Sequence, residues 1–262
     1  MADTRGTESA ARVADVLLAF TNGSQSVGVS KLAAELDLSK AVVHRILQTL
    51  VHKGFVVADP STRGYRLGPA AAIFGARALR GSELRRHAIP VLHKLHRATG
   101  ETSTVSALVP GGRVYLDQVE SAREIKMTVE LGRRFPLHAG SSSTCILAFL
   151  PEELQSSVLA GELQPLTNHT VVDKATLRSK LREIRRQGYA LSDGERQEGA
   201  ASCAAPIFGF DGMVVGAVSV CGPVNRFDQA ARQRFIPLLL DGADRISRAH
   251  GWQGGLPSND DG

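Results

Sequence analysis

The chain of 262 residues lacks most of the features that would assign it to a membrane, a disulfide framework or a metal site. Its longest apolar runs, such as CILAFL at 145–150, fall far short of the roughly 20 residues a transmembrane helix needs. No membrane partner is expected. The opening MADTRGTESA has no charged-then-apolar signal layout, so a cytoplasmic protein is the expectation. Only three cysteines occur, Cys145, Cys203 and Cys221, with no CxxC and no His-paired spacing. That excludes a zinc cluster and speaks against structural disulfides. There is no GxSxG elbow and no internal repeat, and neither a metal nor a cofactor is expected. The hydrophobic share of 43% and charged share of 22% are those of an ordinary globular protein, long enough for two modest domains or one large one.

What the chain does have is a basic excess in one place. The net charge is +5; residues 1–90 carry 12 Lys and Arg against 7 Asp and Glu, whereas 91–262 carry 19 of each. Neutralising phosphates needs such an excess. The same segment contains SKAVVHRILQTLVHK, residues 39–53. At 100° per residue, Val43, Ile46, Leu47 and Leu50 form one apolar stripe, and Ala41, His44, Arg45, Gln48 and His52 lie opposite. Upstream, VSKLAAELDL offers a short helix from Ser30 to Leu36 with Ser30 as N-cap, and Ser39 caps the longer helix after a tight turn. Two helices joined in this way form a helix-turn-helix that fits a major groove.

Gly54 reads as a C-cap, and FVVAD-PSTRG-YRLG as a β-hairpin with Arg63 near its tip, the layout of a wing. Double-stranded operator DNA is therefore the expected partner. Lys40, Ala41, His44 and Arg45 lie in the first turns of the recognition helix, with Arg45 best suited to a bidentate guanine contact and Gln48 on the same face. Ser30, Ser39, Lys40 and Arg63 suit phosphates.

The remaining expectations follow the chain. Residues 1–7 are a tail, and a first helix, Glu8–Thr21, ends at Asn22-Gly23-Ser24; the winged helix-turn-helix spans 8–68. An Ala- and Arg-rich helical linker, 69–87, serves as spacer or dimer contact, with a break at Gly81-Ser82. Pro90 is expected in the first turn of a new helix that Gly100 ends. A second domain, 88–250, reads as strands ETSTVSALV, GRVYLDQVE and EIKMTVEL, then helices at SSSTCILAFL, after Pro151 and at Lys174–Gln187. Strands YALSD, ASCAAPIF and MVVGAVSV follow, the last two joined at Asp211-Gly212. A final helix from Gln229 to about His250 should kink at Pro237, and 251–262 reads as a disordered tail.

In this order of parts the chain resembles the IclR family of bacterial transcriptional regulators over nearly its whole length. The resemblance is carried by LAAELDLSKAVVHRILQTLVHKGFV and YRLG, then by LHAGSSSTCILAFL, GYALSDGERQEG and AAPIF…GAVSVCGP…RF. It implies an α+β protein: a winged helix-turn-helix, a linker helix and a GAF-like effector-binding domain with an antiparallel sheet. It further implies a homodimer that pairs into a tetramer as a dimer of dimers. Repression or activation of a catabolic operon and a small organic or aromatic acid as effector, a carboxylate, are also implied.

Mapped residue by residue, the resemblance places the effector carboxylate at the backbone N–H groups of Ser141 and Ser142, where a helix N-terminus favours an anion. Three serines stand here where many relatives have Gly and Ala; their hydroxyls either bond the effector or cap the helix. Strand alternation sets Ser202 and Ala204 on the pocket face with Cys203 opposite, and Ser219 and Cys221 together. The family's acidic positions fall on Ser192, Asp193 and Glu195, with Asp193 assigned to the site. Met127 and Leu131, on the expected third strand, supply apolar wall.

Two other readings use the same residues. His138, Ser141 to Ser143 and Asp193 are the residue types of a hydrolase triad, although nothing in the sequence brings base to nucleophile. Cys203 and Cys221, on expected hairpin neighbours, suggest a redox-sensing regulator, although alternation puts them on different faces.

Overall fold

The stripe Val43, Ile46, Leu47 and Leu50 is buried without exception, and it makes α3 (Lys40–His52) the centre of the first of two compact units. The structure, a computed structural model, describes residues 7–22 and 26–254; the two units meet in sequence at Gly81 and Ser82. The expected tail through residue 6, the helix-ending Gly23-Ser24 and the tail beyond 254 lie outside the described residues.

In the first unit, α1 (Glu8–Ala19) and α2 (Val29–Glu35) pack on α3 through Val16, Phe20, Leu32 and Ala33. Thr7, expected in the tail, is the N-cap of α1. Ser39 caps α3 as expected, its Oγ accepting the Val42 N–H at 3.3 Å. Ser30 does not cap α2. The N-cap is Gly28, and Ser30 lies one residue into the helix, because an antiparallel bridge between Val27 and Tyr65 fixes the chain immediately before it. Strands β1 (Val56–Asp59) and β2 (Gly64–Leu67) form the expected hairpin. Its turn is held by Asp59, whose Oδ1 accepts from the Ser61 N–H at 3.0 Å and the Ser61 hydroxyl at 2.6 Å. Arg63 follows at the tip with φ 54°. Helix α4 (Pro69–Gly81) buries no residue of its own.

The second unit begins at Ser82, which caps α5 (Glu83–Thr99). The linker therefore stops at Gly81 and not at 87, and Pro90 lies inside α5 instead of opening a new helix. The cause is the cap: Ser82 Oγ accepts the Arg85 N–H, and Leu84, Ala88, Leu92 and Leu95 continue one buried face through the proline.

A six-stranded, wholly antiparallel sheet follows, in the order β5 (Arg134–Phe135), β4 (Gly112–Val119), β3 (Thr102–Val109), β8 (Val214–Pro223), β7 (Ala200–Phe208), β6 (Ala190–Asp193). Alternation divides it. Cys203, Ala205, Ile207, Val218 and Val220 meet α5 and α9 (Gln229–Ala249) on one face. Ala204 and Ala217 meet α6 (Ser141–Phe149) and α8 (Lys174–Gln187) on the other. The small side chains of β7 let α6 lie close, and every residue of α6 is buried. Helix α7 (Glu152–Ala160) lies between α6 and α8 in sequence.

Two further expectations fail. Glu124–Leu131 is not a strand; only an isolated bridge from Leu131 to Tyr115 remains. Side chains hold this segment in place of a ladder: Gln118 exchanges bonds with the Val129 backbone at 2.9 and 3.1 Å, and the Thr102 hydroxyl donates to the Met127 carbonyl at 2.6 Å. The tail does not start at 251 either. Trp252 stacks on Phe208 with ring centres 5.2 Å apart and donates its backbone N–H to Ser247.

Candidate functional site

Two surfaces carry chemistry, one in each unit. In the first unit, packing of the α3 stripe turns Lys40, Ala41, His44, Arg45 and Gln48 outward, and all five are exposed. Ser30, Ser39 and Arg63 are exposed as well. The Arg45 guanidinium makes no ion pair or hydrogen bond among the described residues, so no salt bridge to the hairpin or to α2 competes for it. Ser39 differs: its hydroxyl is already engaged by the helix cap.

In the second unit a small polar cavity lies between the α6 N-terminus and strands β4, β7 and β8. Of the residues assigned to an effector, Met127, Ser141, Ser142, Ser202, Ser219 and Cys221 line it. The N-cap of α6 is Gly140, whose φ of 87° and ψ of 155° form a corner that suits glycine almost alone. Both Ser141 and Ser142 are buried, and the Ser141 hydroxyl donates to Ser202 Oγ at 2.7 Å. Ser219 Oγ pairs with Thr104 Oγ1 at 2.7 Å.

Leu131 and Asp193 do not belong. Leu131 is exposed because the segment carrying it is no strand, and Asp193 points away and forms an ion pair with Arg232. The acid that does line the cavity is Glu195, with Ser192 beside it. Its carboxylate accepts the Gly140 N–H at 3.2 Å and pairs with Lys180, which fixes the corner before α6.

Sequence reasoning missed the cationic wall. Arg113 on β4 is 1% exposed; its Nε donates to Ser143 Oγ at 2.7 Å and its Nη2 to the Tyr115 hydroxyl at 3.1 Å. The guanidinium lies 4.3 Å from the Tyr115 ring centre and 5.2 Å from that of Phe135. Nη1 is buried and has no partner. Burial pushes this guanidinium below its usual range, and the nearby Arg196 charge pushes the same way, while the Tyr115 hydroxyl opposes both. Arg196 also lines the cavity, over the Phe135 ring at 5.2 Å. A wider apolar cleft beside α7, lined by Leu108, Leu137, Leu154 and Leu163, has no such unpartnered group.

Neither alternative chemistry finds its geometry. His138 is buried and bonded through Nε2 to the Gln164 carbonyl at 2.9 Å, while Ser141 donates to Ser202, so no base meets a nucleophile among the described residues. Cys221 pairs in register with Ser202 and Cys203 with Val220, which puts the two thiols on opposite faces. Burial pushes both up to about 12 from 9.0 and raises Cys145 as well. All three should resist a thiol reagent at pH 8 and react only at the rate of unfolding. Ellman titration with and without denaturant measures this; rapid labelling of the folded protein would contradict it. The unfolded thiols ionise near pH 9 and the folded ones only near 12, so unfolding is increasingly favoured as pH rises through that window.

Comparison with known proteins adds an independent line. Residues 9–60 match the IclR helix-turn-helix domain, and residues 76–248 match the C-terminal domain of bacterial transcriptional regulators of the IclR type. The glycerol operon regulatory protein of Streptomyces griseus is 34% identical over 246 residues, covering 93% of this chain and 96% of its own. A crystal structure described as a putative IclR transcriptional regulator from Silicibacter superposes with a TM-score of 0.85 at 28% identity, covering 94% of this chain and 98% of that one. An IclR homologue from Microbacterium hydrocarbonoxydans, crystallised with 4-hydroxybenzoate, gives a TM-score of 0.71 at 26% identity, covering 92% and 98%.

Proposed function

The chain belongs to the IclR family of bacterial transcriptional regulators and is a DNA-binding regulator, not an enzyme; from that premise we propose that a small organic or aromatic acid controls its grip on a double-stranded operator. The observation that carries this reading is the pairing of two unfinished surfaces. One is the exposed face of α3, with Arg45 unengaged; the other is a buried cavity with a guanidinium N–H that has no acceptor. Arg45, His44, Ala41 and Gln48 read base edges, and Lys40, Ser30 and Arg63 meet phosphates, joined by the backbone around Ser39.

The acid occupies the cavity at Ser141, Ser142, Ser202 and Ser219, and shifts the population between two arrangements of the protein. A homodimer, paired again into a tetramer, suits helix α4: Ile73 and Phe74 are each 67% exposed on a helix none of whose own residues is buried. A catabolic operon as target and a cytoplasmic location go with the family; no helix among the described residues is long and apolar enough to cross a membrane.

The test is fluorescence anisotropy of the purified protein on its own upstream intergenic DNA, titrated with short carboxylic acids and with aromatic acids. Tight, salt-sensitive binding that one acid shifts is the expected result. Binding that no acid shifts would leave a DNA-binding protein without the proposed control.

A further inference from the structure

Arg113 is out of balance with its surroundings. It is one of the largest fully buried side chains among the described residues, yet no carboxylate among them pairs with it. Its partners are a serine hydroxyl, a phenol and two aromatic faces, all neutral. Glu195 lines the same cavity, but its two oxygens are taken by Lys180 and the Gly140 N–H. A second cation, Arg196, lines the cavity with no carboxylate partner among the described residues. The first turn of α6, a nine-residue helix, adds the positive end of its dipole. Buried charges in folded proteins are paired or neutralised, because an isolated one pays the full cost of leaving water. The cavity beside these cations has a volume of about 30 Å³, room for about two waters or one carboxylate group, so the rest of an acid must displace the wall and a shorter acid displaces it least.

We propose that Arg113 is the charge partner of the effector: the carboxylate of a short aliphatic acid accepts the free Nη1–H, and Arg196 meets a second acceptor on the same molecule. This rests on reading the cavity as the effector site. The class is then a two- to four-carbon acid bearing a hydroxyl, a keto group or a second carboxylate. An aromatic acid would require the cavity to open further than these do.

The test uses full-length protein and thermal shift with lactate, malonate, benzoate and inorganic phosphate as probes, followed by calorimetry. Lactate or malonate should raise the melting temperature of the wild type. Arg113→Met should bind that acid roughly 10- to 100-fold more weakly, the loss expected for a charge-assisted hydrogen bond, and Arg113→Lys should fall between the two. Without ligand, Arg113→Met should melt no lower than wild type, because it removes an uncompensated buried charge; a merely structural arginine would not behave so.

Equal acid binding by wild type and Arg113→Met overturns the role of Arg113. So does a phosphate response as large as that of malonate, or a panel in which no acid shifts the wild type. Acid binding that survives Met127→Trp, which fills the cavity, overturns the cavity reading itself.

Discussion

Arg45→Ala is expected to weaken binding to the operator roughly 10- to 100-fold while leaving affinity for random DNA almost unchanged. The number follows from a bidentate arginine–guanine contact, worth about 1–3 kcal/mol of discrimination. The selectivity follows from geometry. Arg45 lies on the exposed face of α3, its side chain engaged by nothing else among the described residues, and its loss uncovers no core: Ile46 and Leu47 beside it face inward. Lys40, one residue after the cap, should behave differently. Lys40→Ala removes a phosphate contact, so specific and random DNA should lose affinity together and the salt slope should shrink by about one. Anisotropy titrations on operator and scrambled duplexes over a salt series separate the two. An Arg45→Ala loss of the same size on both duplexes would remove Arg45 from the residues that read sequence.

The first unit was legible because its signals are local. A four-residue apolar stripe, a serine cap and a Pro-Ser-Thr turn each act within a few residues, and the structure departs from them only where Val27 pairs with Tyr65 and moves the cap of α2. The sheet face of the cavity was legible for a similar reason. Alternation along β7 and β8 places Ser202, Ser219 and Cys221 together with no knowledge of the fold. What failed depends on distant partners. Glu124–Leu131 has the composition of a strand, but Gln118 and Thr102 hold its backbone by side-chain bonds, and the edge of β4 is taken by Arg134 and Phe135. Leu131 left the site with the lost strand. Asp193 left it because Arg232, 39 residues on, draws it outward.

Arg113 carried a readable signal, an arginine sharing inward parity with Tyr115 on one strand. Its burial became visible only when α6 closed over it through Ser143.

The largest stability effect should come from Glu101→Gln. Glu101 follows the Gly100 cap of α5 and is 1% exposed, yet it bears a carboxylate. Two guanidinium groups neutralise it: Arg226 binds both oxygens at 2.6 and 2.8 Å, and Arg123 pairs with the first. The site is built for the charge. A side chain at Gly222 would meet Glu101 Oε2 at 2.5 Å, so the glycine leaves room for it. Replacing the carboxylate by an amide weakens charge-assisted hydrogen bonds to two guanidinium groups that are 24% and 48% exposed, so water relieves part of the loss, which is about 1.5–3 kcal/mol. For a unit of this size that lowers the melting temperature by roughly 3–12 °C.

The consequence reaches the cavity, because Arg226 also donates to the Ile125 carbonyl at 2.9 Å, two residues before Met127 in its wall. Glu101→Gln should therefore weaken acid binding as well as stability. Arg123→Ala should do little of either, since Arg123 is 48% exposed and water can replace it. Thermal melts of the two variants with and without the acid measure both effects. If Glu101→Gln melted with the wild type, the triad would be no more than a surface ion pair, and the segment bearing Met127 would need another anchor.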